Sequence, residues 1–394
     1  MPEWPVTDVL HATNFGAEFA LIAACCRWPL AEAAVRDSAI GIDWTALLKL
    51  AMRQRVVGLV HHALAAAGIA PPPEIAAELA RRTDIIAQRN HLQAAETMRL
   101  QRVLAGAGIA SLALKGVALA QLAYGTLGLK HTRDIDLLVL PAQADAAWRL
   151  LEANGYALVL PAATLSPAQR RAVLRYCKDI EVVHRSGEPR VELQWRASAN
   201  WRLLQGIDAR SAAQDVVLPQ GRIRTLAARE LFAYLCVHGA SHSWSRLKWL
   251  ADFNALIANA SDAELVALYR HAQDIGAGLC AGQALLLCER LLARRLPRDL
   301  VEELRGDRRL QKLKALALQE MARPQAAADR GIVGVVREVF THFMLGRGWR
   351  FVVAQCRVAA IGIDDVMRVP LPPPLAFLYP LMRLPLWLWR RHRR

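Results

Sequence analysis

Two aspartates separated by one residue, Asp134 and Asp136, stand at the start of the apolar run 137–140. Alternate side chains of a strand point to the same side, so this spacing predicts that both carboxylates project from one face. Carboxylate oxygens are ligands that Mg²⁺ prefers, and bound Mg²⁺ keeps positions for substrate phosphates. The pair therefore indicates a phosphoryl-transfer site, although an Asp-rich loop capping a strand has the same local sequence.

Two further features would complete such a site. Leu114-Lys115-Gly116 predicts a strand that ends in glycine at a helix start, where backbone N–H groups can approach a phosphate closely. Glu192 lies between the apolar residues Val191 and Leu193 and predicts a third carboxylate on a later strand. In-line phosphoryl transfer needs charge neutralisation and positioning, which paired metals provide. Taken singly, Lys115 is equally typical of a surface lysine and Glu192 of a solvent-facing hairpin residue.

The surrounding periodicity predicts elements that could position these groups. Apolar spacing near 3.6 indicates helices over 15–105 and again over about 226–347. Between them, alternating short apolar runs and helical segments predict strands at 109–114, 135–140, 156–160, 180–184 and 190–195, with helices at 116–124, 141–154 and about 167–176. The expected fold class is α+β and mostly helical, with a small mixed sheet as a nucleotidyltransferase core. The expected regions are an N-terminal helical region (1–105), the α/β core (106–200), a C-terminal helical domain (201–369) and a Pro/Trp/Arg-rich tail (370–394).

Together these motifs resemble bacterial nucleotidyltransferase family 5, a branch of the DNA-polymerase-β-like nucleotidyltransferases. The resemblance rests on Leu-Lys-Gly at 114–116, Arg-Asp-Ile-Asp-Leu-Leu-Val at 133–139, Gly-Tyr at 155–156, Val-Glu-Leu-Gln-Trp at 191–195 and the stretch 235–252. It implies that Asp134 and Asp136 hold Mg²⁺ or Mn²⁺ at the nucleotide phosphates. Glu192 would complete a second metal site or help to deprotonate the acceptor hydroxyl. The sequence departs from the superfamily pattern in having Val117 after the glycine and Glu as third carboxylate.

The predicted nucleotide-binding residues are Lys115, Gly116, Arg133, His238, His242 and Lys248. His238 and His242 are four residues apart, on one face of a helix expected to continue through Lys248 and Asp252. The intervening Gly-Ala-Ser lacks the glutamate of the zinc-protease motif His-Glu-x-x-His, which argues against zinc. Packing histidines are the alternative interpretation of this pair.

The composition limits which binding partners and which cellular compartment are expected. The chain has 50 Lys and Arg against 35 Asp and Glu, a net charge of +15. This excess favours anionic partners or reflects the arginine bias of proteins encoded by a GC-rich genome. Its seven cysteines form no C-x-x-C pair, which argues against disulfide and zinc frameworks and favours a cytoplasmic protein. No signal peptide or transmembrane segment is expected. The tail, with Trp387, Trp389 and a basic end, predicts either packing on the protein or contact with a membrane surface.

The expected activity is therefore metal-dependent nucleotidyl transfer. A nucleoside monophosphate would pass from an NTP to a hydroxyl or phosphate of a small molecule, sugar or peptide, with release of pyrophosphate. Two alternatives stay open: a toxin-like enzyme that modifies tRNA or other RNA, and a non-catalytic binding protein that retains the fold. The positive charge admits RNA, but no motif of stacking aromatic residues supports it. The base of the NTP and the acceptor are not specified.

Overall fold

In the computed structural model, which describes residues 15–159, 165–323 and 332–362 and single positions between 365 and 382, the chain forms one group of helices, then a seven-stranded mixed sheet, then a second group of helices. The helices before the sheet are α1 (Ala17–Cys25), α2 (Glu32–Ser38), α3 (Trp44–Gln54), α4 (Val57–Ala66) and α5 (Pro73–Gly106). The α+β, mostly helical fold class expected from the sequence is confirmed.

The sheet is built from seven short strands with three helices between them. The strands are β1 (Ser111–Ala113), β2 (Asp134–Val139), β3 (Tyr156–Leu158), β4 (Asp179–His184), β5 (Arg190–Gln194), β6 (Ala213–Leu218) and β7 (Gly221–Leu226). The connecting helices are α6 (Gly116–Tyr124), α7 (Ala144–Ala153) and α8 (Pro167–Tyr176). The spatial order is β3-β4-β5-β2-β1-β7-β6. Sequence periodicity did not predict β6 and β7, which extend the sheet past residue 200.

The helices that follow the sheet pack against it and against α1–α5. They are α9 (Ala228–Ser241), α10 (Leu247–Leu256), α11 (Asp262–Asp274), α12 (Gly278–Leu292), α13 (Arg298–Gly306), α14 (Arg308–Ala322), α15 (Ile332–Met344) and α16 (Trp349–Ala360). No helix among the described residues is both long and apolar enough to cross a bilayer.

The two sides of β2 belong to different hydrophobic cores. Ile135, Leu137 and Val139 pack with α7 and α8 on one side of the sheet. Leu138 packs on the other side, in the large core formed with the N-terminal helices and α9–α14. Asp136 lies two residues before Leu138, so its side chain points to the same side of the sheet as Leu138. We call this side, which faces the large core, the helical side. The alternation in this strand therefore fixes the side of the sheet on which the acidic groups lie.

Part of the C-terminal tail packs on the sheet. Tyr379 is buried in the core beneath α8, where its ring centroid lies 5.8 Å from that of Tyr176. Its hydroxyl donates a hydrogen bond to the carbonyl oxygen of Val369 at 3.0 Å. Residues 383–394, which include Trp387 and Trp389, lie outside the described residues.

Candidate active site

Three carboxylates predicted from the sequence lie together on the helical side of the sheet. Strands β2 and β5 are parallel neighbours, and their register places Asp136 directly opposite Glu192. One side-chain oxygen each of Asp134, Asp136 and Glu192 lies within 4.8 Å of the other two. We call these three residues the carboxylate triad.

Asp136 is the buried member of the triad. Its Oδ1 lies 2.8 Å from Nζ of Lys115 and accepts a hydrogen bond from Nε2 of Gln194 at 3.3 Å. Its Oδ2 is buried and has no hydrogen-bond partner among the described residues. Burial, together with the charges of Asp134 and Glu192, raises the pKa of Asp136 well above its ordinary value despite Lys115. A buried, unsatisfied oxygen within a set of three carboxylates fits a hard divalent cation, which supplies the missing positive charge.

Two residues next to Glu192 were not predicted from the sequence. Nζ of Lys178 lies 3.2 Å from Oε1 of Glu192 and also pairs with Asp179. Burial raises the pKa of Glu192, but Lys178 and the hydrogen bond with Asp179 outweigh it, so the pKa lies well below the ordinary value. Burial raises the pKa of Asp179 to about 7 against the effect of Lys178. The site therefore holds a fourth carboxylate beside the triad.

A cleft of about 620 Å³ opens in front of the triad. Its lining includes most of the predicted site residues, namely Lys115, Arg133, Asp134, Glu192, His238, His242 and Lys248. Asp136 lies behind this surface. Gly116 does not line the cleft but borders a smaller adjoining cavity of about 30 Å³, and its φ of +66° is one that glycine adopts without strain. The Nζ of Lys115 points at the carboxylates, which differs from the expected contact with a triphosphate.

One wall of the cleft is strongly cationic. It is formed by four side chains, Arg55, Arg133, Arg246 and Lys248, which we call the cationic wall. Within the described part of the chain, none of the four makes a side-chain hydrogen bond or ion pair. Burial and the charges of Arg246 and Arg133 lower the pKa of Arg55 to about 10. Burial and the charge of Lys130 lower the pKa of Lys248 well below its ordinary value. Crowded cations that have no ion pair of their own among the described residues favour an anionic ligand in the cleft.

Strained backbone places two members of this wall. Arg55 ends α3 with φ 57° and ψ 42°, the left-handed region that few residues other than glycine adopt. Ser243 and Trp244, in the turn between α9 and α10, also have positive φ angles of 51° and 48°. Trp244 is fully buried and donates a hydrogen bond from Nε1 to Oε1 of Gln283 at 3.2 Å. The buried indole fixes the turn that carries Arg246 to the cleft.

This turn corrects one prediction. A single helix was expected to continue from His238 through Lys248 and Asp252, but α9 ends at Ser241 and α10 begins at Leu247. The imidazole rings of His238 and His242 still meet, with centroids 4.7 Å apart, and His242 stacks on Trp249 at 4.9 Å. Burial and the charge of Lys115 lower the pKa of His242 to about 4, so this ring is neutral at pH 7.

Asp252 has a structural role instead of a place in the main cleft. Its carboxylate lies 2.6 Å from Nζ of Lys130 and accepts a hydrogen bond from the hydroxyl of Tyr124 at 3.0 Å. Asn90 Nδ2 also donates to the carbonyl oxygen of Lys130 at 2.7 Å. These contacts anchor the loop that leads from α6 into β2, and therefore hold Asp134 in position.

The wall opposite the sheet comes from α14–α16. Here Glu320 pairs with Arg337 and lies 3.5 Å from Nη1 of Arg323. Asn200 Nδ2 donates a hydrogen bond to Oε1 of Gln355 at 2.9 Å. In contrast to the cationic wall, the arginines on this side already have a carboxylate partner.

Comparison with known proteins supports the resemblance seen in the motifs. A family model described as an uncharacterised nucleotidyltransferase matches residues 41–293, which is more than half of the chain. A search of curated proteins finds no match. The matched region contains the carboxylate triad and the whole cationic wall, and it ends before α14–α16. The chain belongs to the family of uncharacterised nucleotidyltransferases.

Proposed function

We propose that the protein is a metal-dependent nucleotidyltransferase that moves a nucleoside monophosphate from an NTP to a small-molecule acceptor. The observation that carries the proposal is that the carboxylate triad and a cationic wall without ion-pair partners among the described residues lie in one cleft. A triphosphate chelated to a divalent cation is complementary to both groups, because carboxylates bind its metal ion and cationic side chains bind its outer phosphates. Membership of a nucleotidyltransferase family supports the same chemistry.

In the proposed reaction, an acceptor oxygen attacks the α-phosphorus of the NTP. A bond forms between that oxygen and the α-phosphorus, the bond to the bridging oxygen of the β-phosphate breaks, and pyrophosphate leaves. The acceptor proton passes to a base or to solvent. Asp134, Asp136 and Glu192 are the residues that would hold Mg²⁺ or Mn²⁺, which supplies neutralisation of phosphate charge when bound. The cationic wall would bind the β- and γ-phosphates and stabilise the charge that develops on the leaving pyrophosphate.

The acceptor would lie on the side of the cleft formed by α14–α16. Arg337 and Arg323 share Glu320 there and Glu338 also lines this wall, so it offers balanced charge and amide groups, which suit a polar acceptor with hydroxyl groups. The cleft volume of about 620 Å³ lies in the range of small-molecule sites. Because α14–α16 lie outside the matched region, the acceptor preference would be a property of this chain's own C-terminal helices.

The proposal can be tested through NTP binding before the acceptor is known. We expect Arg246→Gln to weaken binding of each Mg²⁺-NTP about 10- to 100-fold in calorimetry, because a charge-assisted contact is lost. Arg298→Gln is the matched control, since Arg298 lies on the exposed surface of α13. Equal affinities for the wild type and Arg246→Gln would contradict the placement of the triphosphate.

Transfer itself is tested with α-labelled NTPs and a cell extract. We expect the wild-type protein to attach the nucleotide label to an extract component, detected by mass spectrometry as a gained nucleotide mass. Asp134→Asn should bind NTP less well and transfer no label. Tight NTP binding without transfer by the wild type would favour the non-catalytic alternative.

A further inference from the structure

The outward sides of α15 and α16 carry large apolar side chains in solvent. We call this set the C-terminal apolar face: Val336, Val339 and Phe340 of α15, and Trp349, Val352 and Val353 of α16. Each is between 42% and 71% exposed. Both triplets have the spacing i, i+3, i+4, so each forms one stripe on its helix. Exposed apolar groups concentrated on neighbouring helices are typical of an interaction surface.

The opposite sides of the same helices line the cleft. Arg337 and Thr341 of α15 and Gln355 and Val358 of α16 contribute to the cleft wall. At 100° per residue, these positions lie roughly opposite the apolar triplets on both helices. The C-terminal apolar face is therefore not the outer edge of the active cleft but a separate surface behind it.

Cations accompany the apolar side chains on this surface. The guanidinium of Arg350 lies 5.4 Å from the ring centroid of Trp349, and Nζ of Lys312 lies 4.8 Å from that of Phe340. The other arginines of α15 and of the turn before α16 are already engaged, because Arg337 pairs with Glu320 in the cleft and Arg347 pairs with Asp307. Apolar side chains edged by Arg and Lys are the pattern of helices that lie in the interface of an anionic bilayer, with the apolar groups among the acyl chains and the cations at lipid phosphates.

The charge distribution also distinguishes a bilayer from a second copy of the chain. A symmetric dimer through this surface would bring the Arg350 and Lys312 cations of the two copies toward each other, at a cost that an anionic lipid surface does not have. We infer that the C-terminal apolar face docks the protein on an anionic membrane surface, with α15 and α16 lying in the interface.

The test is co-sedimentation of the full-length protein with phosphatidylcholine vesicles that do or do not contain phosphatidylglycerol. We expect binding to the anionic vesicles that weakens as salt is raised, and little binding to pure phosphatidylcholine. The double variant Trp349→Ser/Val353→Ser should bind the anionic vesicles about tenfold or more weakly, because two membrane-inserting groups are lost. Leu92→Ser is the matched control, since Leu92 is also an exposed apolar residue but lies on α5.

Three results would overturn the inference. The first is absence of wild-type binding to anionic vesicles at low salt. The second is unchanged binding by the double variant, which would assign any membrane contact to another part of the chain. The third is a dimer in light scattering that the double variant abolishes, which would make the face a protein interface. Circular dichroism melting of both variants separates these outcomes from loss of folding, and Mg²⁺-NTP binding should be unchanged in both.

Discussion

Replacement of Asp136 by Asn should separate metal binding from folding. At an effective dielectric constant near 20, the contact of 2.8 Å between Lys115 Nζ and Asp136 Oδ1 is worth about 6 kcal/mol of attraction. The oxygens of Asp134 and Glu192 lie within 4.8 Å of an oxygen of Asp136, and each repels it by about 3.5 kcal/mol or more. The attraction and the two repulsions nearly cancel. The substitution also removes the cost of burying a charge, so we expect the stability of the metal-free protein to change little.

These magnitudes translate into a melting experiment. Without metal, the melting temperatures of Asp136→Asn and the wild type should agree within about 2 °C for a chain of this length. Mg²⁺ at a hundredfold excess over its dissociation constant stabilises the wild type by about 2.7 kcal/mol, which raises its melting temperature by about 3 °C. The variant should show no such rise. Its rate of nucleotide transfer should fall about a thousandfold or more, because the charge neutralisation at the phosphates is lost.

The control and the refuting results are defined by the same assay. Asp215→Asn removes an exposed carboxylate on β6, outside the triad, and should keep the full Mg²⁺ response. A Mg²⁺ response in Asp136→Asn equal to that of the wild type would refute the assignment of the metal to the triad. A fall of 10 °C or more in the metal-free variant, far beyond the roughly 2 °C expected, would refute the balance of charges.

Three further substitutions test the supports of the site. Asp252→Asn leaves the buried ammonium of Lys130 without its partner and should cost about 3–5 kcal/mol in urea unfolding, most of which Lys130→Met in the same chain should recover. Burial and neighbouring cations lower the pKa of His131 to about 3, below the unfolded value of about 6.5. The neutral ring therefore contributes to the free energy of unfolding above pH 6.5, and this contribution is lost as the pH falls toward 3. His131→Gln should therefore lose less stability than the wild type over that interval, and equal losses would contradict the shift. Gly239→Ala would place a Cβ 2.4 Å from the ring of Trp244 and should cost about 1–3 kcal/mol or more, whereas an unchanged melting temperature would show that the turn can relax.

The triad could be predicted because its signals are local. Asp134 and Asp136 alternate with apolar residues, and Glu192 stands between two residues that prove to be fully buried, Val191 and Leu193. Period-two alternation predicts which side chains share a face of the strand, and the apolar residues between the carboxylates indicate that the strand lies inside the sheet. The described bounds of the strands and helices at 109–195 lie within two residues of the predicted ones for the same reason, except that the helix predicted from residue 141 begins at Ala144.

The cationic wall could be predicted only in part, because its members come from distant segments. Arg133 and Lys248 adjoin recognisable motifs, but Arg55 comes from the end of α3, almost 80 residues before the triad, and nothing around it indicates a ligand. The turn before Arg246 contains neither glycine nor proline, so its positive φ angles have no signal in the local sequence. The burial of Trp244 maintains them. Tertiary packing of this kind leaves no signal in the local sequence. The β6–β7 hairpin differs, because Ile223 and Thr225 alternate with Arg222 and Arg224 in the sequence and are buried in the structure, which is a local strand signal.

The pairing of β2 with β5 has a consequence for how proteins with this sheet can diversify. Asp136 and Glu192 are directly paired across neighbouring strands, so their separation follows from the strand spacing of about 4.8 Å and not from the path of the chain between them. The segment between β2 and β4, which includes α7 and α8, can then be lengthened, shortened or rebuilt while the acidic groups keep their distance, whereas β4 itself pairs with β5 and carries Asp179. Variation in length would be tolerated there, whereas a register shift of a single residue would turn Glu192 into the opposite core.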